Sequence, residues 1–279
     1  MTNQKQVVPI LSGGGTRLSA HVGILQGLDD LALRYEHLVG VSGGSIVAAL
    51  HASGLSLPAV YELILNTNFS QFLGQSLITL VRRGGLSNGK RFEKWMDDQI
   101  SGACFRDLEK DLHVVATDVA TGEPVIFSKE LTPDMKVSQA VRFSMSIPLI
   151  FSFNEFQDRI LVDGSILSED AILRDWAGDG TPAICFRLRG GAKNERQRKS
   201  RIPIVNYLTL LMRSFMTTVS REYVHDEFWH NTVLVDAGDV SPICFDITPE
   251  QKALLYNEGY QTTINVVPSK VLSGRAAKA

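Results

Sequence analysis

The chain has 279 residues, of which 44% are hydrophobic, and a formal net charge of −2. A chain of this length and apolar content can bury a sizeable core as one large domain, or as one domain with an insertion, and we expect one domain. The small net charge provides no overall field for capturing nucleic acid, so no nucleic-acid partner is predicted. The N-terminal apolar run is too short for a signal peptide and no later run reaches a membrane-spanning length, which predicts a cytoplasmic protein.

The cysteines show no metal-ligand spacing. The three cysteines form no C-x-x-C pair and no Cys/His cluster. We therefore predict buried thiols without disulfides, and neither a metal site nor a cofactor.

The N-terminal part of the chain alternates strand and helix patterns. An apolar run over residues 7–11 predicts a strand, and it ends in three glycines, 13–15. A helical pattern over residues 16–33 follows, and a second short apolar run ends at Val41. This order predicts the start of an α/β fold in which loops follow the carboxyl ends of the strands.

A G-x-S-x-G string follows the second strand. It places Ser42 on a strand-to-helix turn, where a serine can be held on a tight backbone and act as a nucleophile. Gly40 and Gly44 allow the sharp turn, and the following helix directs its free N–H groups toward developing negative charge. Such strings also occur by chance in turns rich in glycine and serine, so the motif alone leaves an ordinary turn open.

The triple glycine has two possible interpretations. A dinucleotide-binding loop would need glycine at position 18, which is Leu18, and no phosphate-binding G-x-x-x-x-G-K-[ST] string is present. The remaining reading is a loop whose backbone N–H groups approach a ligand oxygen, as an oxyanion hole requires.

The strings GGGTRLSAHVGIL and GVSGGS, with the later pair Asp163-Gly164 in RILVDGSI, resemble the patatin-like phospholipase family. The segments TDVATGEPVIF, FSMSIPLIF and FDITPEQKALLYNEGYQTT resemble the same family in the same order. The resemblance implies a three-layer α/β/α sandwich with a mostly parallel central sheet. It also implies one patatin-like domain, which we place over residues 1–267. From the composition of the chain end, SGRAAKA, we predict a disordered tail over residues 268–279.

The resemblance further implies a Ser–Asp dyad that needs no metal. The residues that match are Ser42, as the implied nucleophile, and Asp163, as the implied base, whose pKa burial would raise toward that of a useful base. The implied oxyanion donors are Gly13, Gly14 and Gly15. The implied supporting residues are Arg17, Gly40, Gly44 and Gly164.

A histidine base is the alternative to the dyad. Histidines occur at positions 21, 37, 51, 113, 225 and 230. Of these, His225 and His230 follow Asp163, but neither has flanking residues typical of a catalytic histidine.

The chain departs from the family pattern in three places, and these put the shape of the pocket in doubt. They are Leu18, Ser146 and Ser168-Glu169-Asp170.

We therefore predict a serine acyl hydrolase that cleaves fatty-acyl esters of glycerolipids or phospholipids. An acyltransferase using the same serine is one alternative, and a ligand-switched effector or lipid-binding regulatory protein is another. Two segments are candidates for transient membrane contact. Residues 69–83 are apolar with a basic end, and residues 187–201 contain seven basic residues and one acidic residue. For both segments, ordinary core packing or a solvated loop is the competing interpretation. The sequence does not predict the oligomeric state.

The rest of the chain continues in the same alternation. We predict a helix over residues 90–100, a hairpin of residues 114–119 with 124–128, a helical stretch around Val137 and Ala140, and a strand over 160–162. Further predicted elements are a strand over 183–188, a helix over 202–229, strands near Val233 and Ile243, and a final helix opened by Thr248.

Overall fold

A mixed β-sheet forms the centre of the molecule. The computed structural model describes residues 5–74, 76–166, 174–190 and 229–273, together with Tyr207, Leu210 and Leu211. Its strands are β1 Val8–Ser12, β2 His37–Val41, β3 Gly85–Ser87, β4 Asp111–Asp118, β5 Pro124–Phe127, β6 Leu149–Phe151, β7 Asn154–Phe156, β8 Arg159–Val162, β9 Ala183–Arg189 and β10 Thr232–Asp236. Eight of them form the main sheet in the order β10-β9-β1-β2-β4-β8-β7, with β5 paired to β4, and β3 pairs with β6 separately.

Seven α-helices are described. They are α1 Leu18–Asp30, α2 Gly43–Ala52, α3 Leu57–Asn66, α4 Leu77–Arg83, α5 Lys90–Gln99, α6 Val137–Ser144 and α7 Pro249–Ser273. Side-chain caps define several starts: Ser56 Oγ accepts from Ala59 N at α3, and Ser76 Oγ accepts from Thr79 N at α4. At α7, Thr248 and Gln251 bond each other's backbone N–H groups in a capping box.

The pairing of β4 decides where the site forms. Strand β5 pairs with residues 114–117 of β4, and β2 pairs with residues 111–115, so β2 and β5 lie on opposite edges of β4. Thr117 pairs with both Pro124 of β5 and Val162 of β8, so β8 lies on the same edge of β4 as β2. Because β2 is parallel to β4 and β8 is antiparallel to it, the ends of β2 and β8 approach each other along that edge.

The two faces of the sheet bury different clusters. One face carries the larger core, into which α1, α2, α3, α5, α6 and α7 pack. The other face carries a smaller cluster around Val39, Val115 and Cys185, against which Trp176 packs. Alternation along each strand sends successive side chains to opposite faces, which explains why both faces of a central strand are apolar.

The predicted α/β fold with a mostly parallel central sheet flanked by helices is confirmed. The parallel pairs are β10 with β9, β9 with β1, β1 with β2, and β2 with β4. The predicted hairpin is β4 with β5, and the predicted helix over residues 90–100 is α5. Cys185 is buried, as predicted for all three thiols, but Cys104 and Cys244 are only partly buried.

The predicted strand near Ile243 is wrong. The segment turns there, with Cys244 N donating to Ser241 O at 3.1 Å, and the Pro242 carbonyl accepts from Thr16 N at 2.9 Å. Contacts to the N-terminal glycine loop therefore replace strand pairing.

The predicted end of the domain falls inside the last helix. Helix α7 continues through Pro268 to Ser273, past the boundary placed at residue 267. The basic segment is described only as far as residue 190, and the predicted helix over 202–229 falls almost wholly outside the described residues, as do Ser168-Glu169-Asp170 and His225. None of the described helices has both the length and the apolar character needed to cross a bilayer.

Candidate active site

Ser42 lies on the predicted sharp turn between β2 and α2. Its backbone has φ +54° and ψ −129°, an uncommon conformation for a residue with a side chain, and only 1% of the residue is exposed. The neighbouring glycines permit this turn, because a Cβ on Gly44 would lie 2.0 Å from Leu11 O and one on Gly40 would lie 2.5 Å from Ser45 Cα. The strand therefore passes directly into the helix with Ser42 at its N-terminus.

The structure brings Ser42 and Asp163 together. Ser42 Oγ donates a hydrogen bond of 2.6 Å to Asp163 Oδ2, and both residues are buried. The two residues come together because β2 and β8 pair with the same edge of β4 and run in opposite directions. Ser42 comes directly after β2, and Asp163 comes directly after β8. Gly164 makes the approach possible, because a Cβ there would lie 2.1 Å from Val115 O.

Ser165 holds the carboxylate of Asp163 in place through the oxygen that does not contact Ser42. Oδ1 accepts from Ser165 N at 2.8 Å and from the Ser165 hydroxyl, which leaves Oδ2 directed at Ser42. Burial raises the pKa of Asp163 above its ordinary value, although the hydrogen bonds from Ser165 and Ser42 oppose the shift. The environment therefore moves this carboxyl in the direction that a general base requires.

The backbone of Ser42 has its own support. Ser42 N donates to Ser144 Oγ at 2.9 Å, and Ser144 Oγ donates to Val115 O at 2.6 Å. Ser144 therefore connects the nucleophile turn to the middle of β4. The sequence analysis did not identify Ser144 or Ser165. They lie in the strings FSMSIP and DGS, which are part of the segments similar to the family, but neither string is a motif that indicates a function for these serines.

The glycine loop is corrected at one position. Gly13 N donates to Val41 O at 3.1 Å, so this N–H extends the pairing of β1 with β2 and is not a free oxyanion donor. The N–H groups of Gly14 and Gly15 have no acceptor among the described residues. Gly15 and Gly43 border the pocket at Ser42, and Gly43 is the first residue of α2, where backbone N–H groups lack helical partners.

Two buried side chains fix this loop. Arg17 is fully buried and donates to the carbonyls of Gly14 at 3.0 Å, Leu188 at 3.3 Å and Gly190 at 3.2 Å. Burial lowers the pKa of Arg17 to about 10. His21 places Nε2 3.0 Å from Gly13 O, and burial lowers the pKa of His21 to about 4, so it is a neutral donor to the loop. The supporting place predicted for Arg17 is thus at the carbonyls behind the loop.

No histidine of the described residues contacts the dyad. His51 bonds Leu55 O and Tyr35, His37 and His113 lie at the other end of the sheet, and His230 is exposed. His225 is outside the described residues, so the histidine alternative is untested at that position.

A narrow pocket with a cavity volume of about 30 Å³ opens beside Ser42. Its wall is mostly apolar. The lining residues are Gly15, Thr16, Leu18, Ser42, Gly43, Ile46, Phe69, Phe72, Phe92, Met145, Ile147, Phe151 and Phe245. Part of residues 69–83 thus belongs to the core: Phe69 and Phe72 are buried, whereas Ile78 and Val81 on α4 are 69% and 85% exposed.

The structure shows where two of the departures from the family pattern, Leu18 and Ser146, lie. Leu18 begins α1 and lines the pocket. Ser146 accepts from Asn154 Nδ2 at 2.7 Å, and its carbonyl accepts from Asp163 N at 3.1 Å. Ser146 therefore takes part in positioning the base while leaving the Ser42–Asp163 contact intact.

Comparison with known proteins gives one family. The model of the family described as patatin-like phospholipase matches residues 10–173. The Bacillus subtilis (strain 168) protein YqhO is 26% identical over 91% of this chain and 95% of its own length. A protein of Invertebrate iridescent virus 6 named probable lipid hydrolase 463L is 27% identical over 56% of this chain and 59% of its own length.

A solved structure shares the fold. VipD from Legionella pneumophila superposes with a TM-score of 0.68 and 17% identity, covering 96% of this chain and 67% of VipD. At that identity the likeness concerns the fold.

Proposed function

This chain belongs to the patatin-like phospholipase family and is a hydrolase, and we propose that it cleaves fatty-acyl esters of glycerolipids through an acyl-enzyme on Ser42. The observation that carries the proposal is the 2.6 Å hydrogen bond from Ser42 Oγ to the buried carboxylate of Asp163. A serine hydroxyl needs a base within hydrogen-bond reach to become a nucleophile, and this pair supplies one.

The first half of the reaction forms the acyl-enzyme. Asp163 takes the proton of Ser42 as Oγ attacks the ester carbonyl carbon, and the carbonyl oxygen becomes an oxyanion. The N–H groups of Gly14, Gly15 and Gly43 are our candidates to stabilise that charge, together with the N-terminus of α2. Asp163 then returns the proton to the leaving alcohol as the ester C–O bond breaks.

The second half releases the fatty acid. Water gives a proton to Asp163 and attacks the acyl carbon, and the proton passes to Ser42 Oγ when the acyl–oxygen bond breaks. Each step uses only the two side chains, the backbone donors and water, so the proposal needs no metal.

The pocket favours an acyl chain as the group held at Ser42. Its wall includes the aromatic rings of Phe72 and Phe92, with centroids 5.5 Å apart, and the thioether of Met145. An apolar wall next to a polar reacting centre suits a substrate that has a hydrocarbon chain attached to an ester. The name of the viral relative, probable lipid hydrolase 463L, agrees with that substrate class.

We further propose that α4 brings the protein to the lipid surface. Ile78 and Val81 expose most of their side chains, and Arg82 and Arg83 follow them in the last turn. Apolar side chains beside basic ones favour adsorption to an anionic bilayer, to which each basic residue contributes roughly 1 kcal/mol.

The test of the reaction is Ser42→Ala. The matched control is Ser53→Ala, at the residue that follows the last residue of α2. We expect Ser42→Ala to lose hydrolysis of nitrophenyl esters and phospholipids, and to lose labelling by a fluorophosphonate, while Ser53→Ala keeps both. Mass spectrometry of the products, with and without an added alcohol, separates hydrolysis from acyl transfer. Labelling that persists in Ser42→Ala would falsify the assignment.

The test of the membrane contact is the double variant Ile78→Ser, Val81→Ser. It should bind phosphatidylcholine vesicles containing phosphatidylglycerol less well than wild type, while its turnover of a water-soluble ester is unchanged. Val119→Ser and Leu131→Ser, at positions that are each 55% exposed, are the controls. Equal vesicle binding by all these proteins would remove α4 from the proposal.

A further inference from the structure

Two histidines and an aspartate meet at the end of the sheet away from Ser42. His37 begins β2 and Asp111 begins β4, and the two residues are partners in the parallel register. His113 lies two positions further along β4, so alternation places its side chain on the same face as Asp111. One ligand atom from each of the three residues lies within 4.8 Å of the others.

Two ring nitrogens of this cluster are buried without a hydrogen bond. They are Nδ1 of His37 and Nε2 of His113, neither of which has a partner among the described residues. His37 Nδ1 is 3.7 Å from Asp111 Oδ2, which is beyond hydrogen-bond distance. His113 is only 9% exposed. Buried polar atoms are nearly always paired in folded proteins, so these nitrogens point to a ligand that would complete them.

Aromatic rings pack against one another in this cluster. His37 and His113 are stacked with centroids 5.9 Å apart, and the Trp176 ring lies 5.2 Å from that of His113. Arg174 brings a positive charge close to His113 and stacks on Trp176 at 5.5 Å. It opposes the binding of a cation, whereas the Asp111 carboxylate within the cluster favours it.

The donor set matches zinc. Imidazole nitrogens and a carboxylate oxygen are ligands of Zn²⁺, which holds them tetrahedrally at about 2.0–2.2 Å and hence roughly 3.4 Å from one another. The observed 3.7 Å between His37 Nδ1 and Asp111 Oδ2 is already near that separation. Small side-chain rotations would bring the third ligand, now within 4.8 Å, to the same separation.

We propose that His37, Asp111 and His113 bind a divalent ion of the zinc type, with a fourth position for water. The ion joins the first residues of β2 and β4, the strand that leads into Ser42 and the strand that supports Ser144. The ion would strengthen the pairing of β2 with β4 and take no part in the reaction at Ser42, because the cluster lies four strand residues, about 13 Å, from the end of β2 that carries the reacting pair.

The experiment titrates Zn²⁺ into protein that has been treated with EDTA and dialysed, using calorimetry. We expect one ion per chain in wild type and a melting temperature that rises with added Zn²⁺. His37→Gln, Asp111→Asn and His113→Ala should each weaken binding by at least about tenfold, since losing a ligand costs more than losing a residue that only orients one. His230→Ala, at an exposed histidine outside the cluster, should bind like wild type.

Folding of the variants is checked by esterase activity, because the three residues lie outside the reacting site. His37 and Asp111 are only partly buried, so their variants keep the test decisive if His113→Ala does not fold. Absence of one-to-one binding in wild type, or wild-type affinity in His37→Gln and Asp111→Asn, would overturn the proposal.

Discussion

The two ends of strands β2 and β4 treat buried polar groups differently. At the carboxyl end, Ser42 and Asp163 have protein partners: each other, Ser144 and Ser165. At the amino end, buried nitrogens of His37 and His113 have none among the described residues. One end is thus complete as folded, and the other is complete only with a ligand.

The same sheet can therefore support two kinds of site. A nucleophile and its base must already be in reacting geometry, so their second hydrogen bonds come from the protein and hold them fixed. A metal site needs free lone pairs and a small adjustment on binding. The following predictions test whether the two ends are independent.

The largest effect is expected from Asp163→Asn. Removing the base should lower kcat by several orders of magnitude, nearly as much as Ser42→Ala, and the double variant should be little worse because the pair acts as a unit. Asn has nearly the same shape and can still accept from Ser165 N, so the fold should survive with an unchanged or higher melting temperature. Steady-state kinetics and thermal unfolding on the same samples check both parts.

A single histidine substitution should not reproduce that loss. If His225→Ala abolished activity in a folded protein while Asp163→Asn retained it, a histidine base would replace the dyad.

A smaller effect is expected from Ser144→Ala. The change leaves Ser42 N and Val115 O without their partner, which costs about 1–3 kcal/mol per buried group and loosens the nucleophile turn. We expect kcat to fall about 10- to 100-fold with little change in KM. The matched control is Ser138→Ala, a buried serine on the same helix whose hydroxyl bonds Asp97 instead. If both variants lost stability and activity equally, Ser144 would have only a general structural role.

The sequence predicted the reacting pair and the glycines and Arg17 around it, but not the hydrogen-bond partners Ser144 and Ser165. Ser42 and Asp163 belong to motifs with a defined backbone context, and that context fixed their strands as well. Gly13 was assigned wrongly because a glycine string does not show which N–H continues a strand pairing. Ser144 and the cluster of His37 with His113 escaped because they depend on the register of strands far apart in the chain. The strand expected near Ile243 gave way to contacts with Thr16 that no local pattern reveals.

The pH dependence of kcat/KM should be set by Asp163, at the carboxyl ends of the strands, and not by the histidine cluster at their amino ends. Burial raises the pKa of Asp163 above 3.8, so kcat/KM for a soluble ester should fall about tenfold per pH unit below a midpoint higher than that value. Because folding raises this pKa, protonation of Asp163 stabilises the folded state, so this group does not cause acid unfolding. Circular dichroism across the same range separates the two effects. A midpoint below 3.8 would contradict the assignment of Asp163 as a buried base.

The smallest effect on catalysis is expected from the amino end. EDTA, His37→Gln and Asp111→Asn should each leave kcat/KM for a soluble ester within about twofold of wild type, because sites more than about 10 Å apart usually interact by no more than about 0.5 kcal/mol. The same treatments should lower the melting temperature in the presence of Zn²⁺, and Ser42→Ala should leave Zn²⁺ affinity unchanged. Esterase activity that EDTA removes and Zn²⁺ restores would show that β2 transmits the state of one end to the other, and the two sites would then have to be treated as coupled.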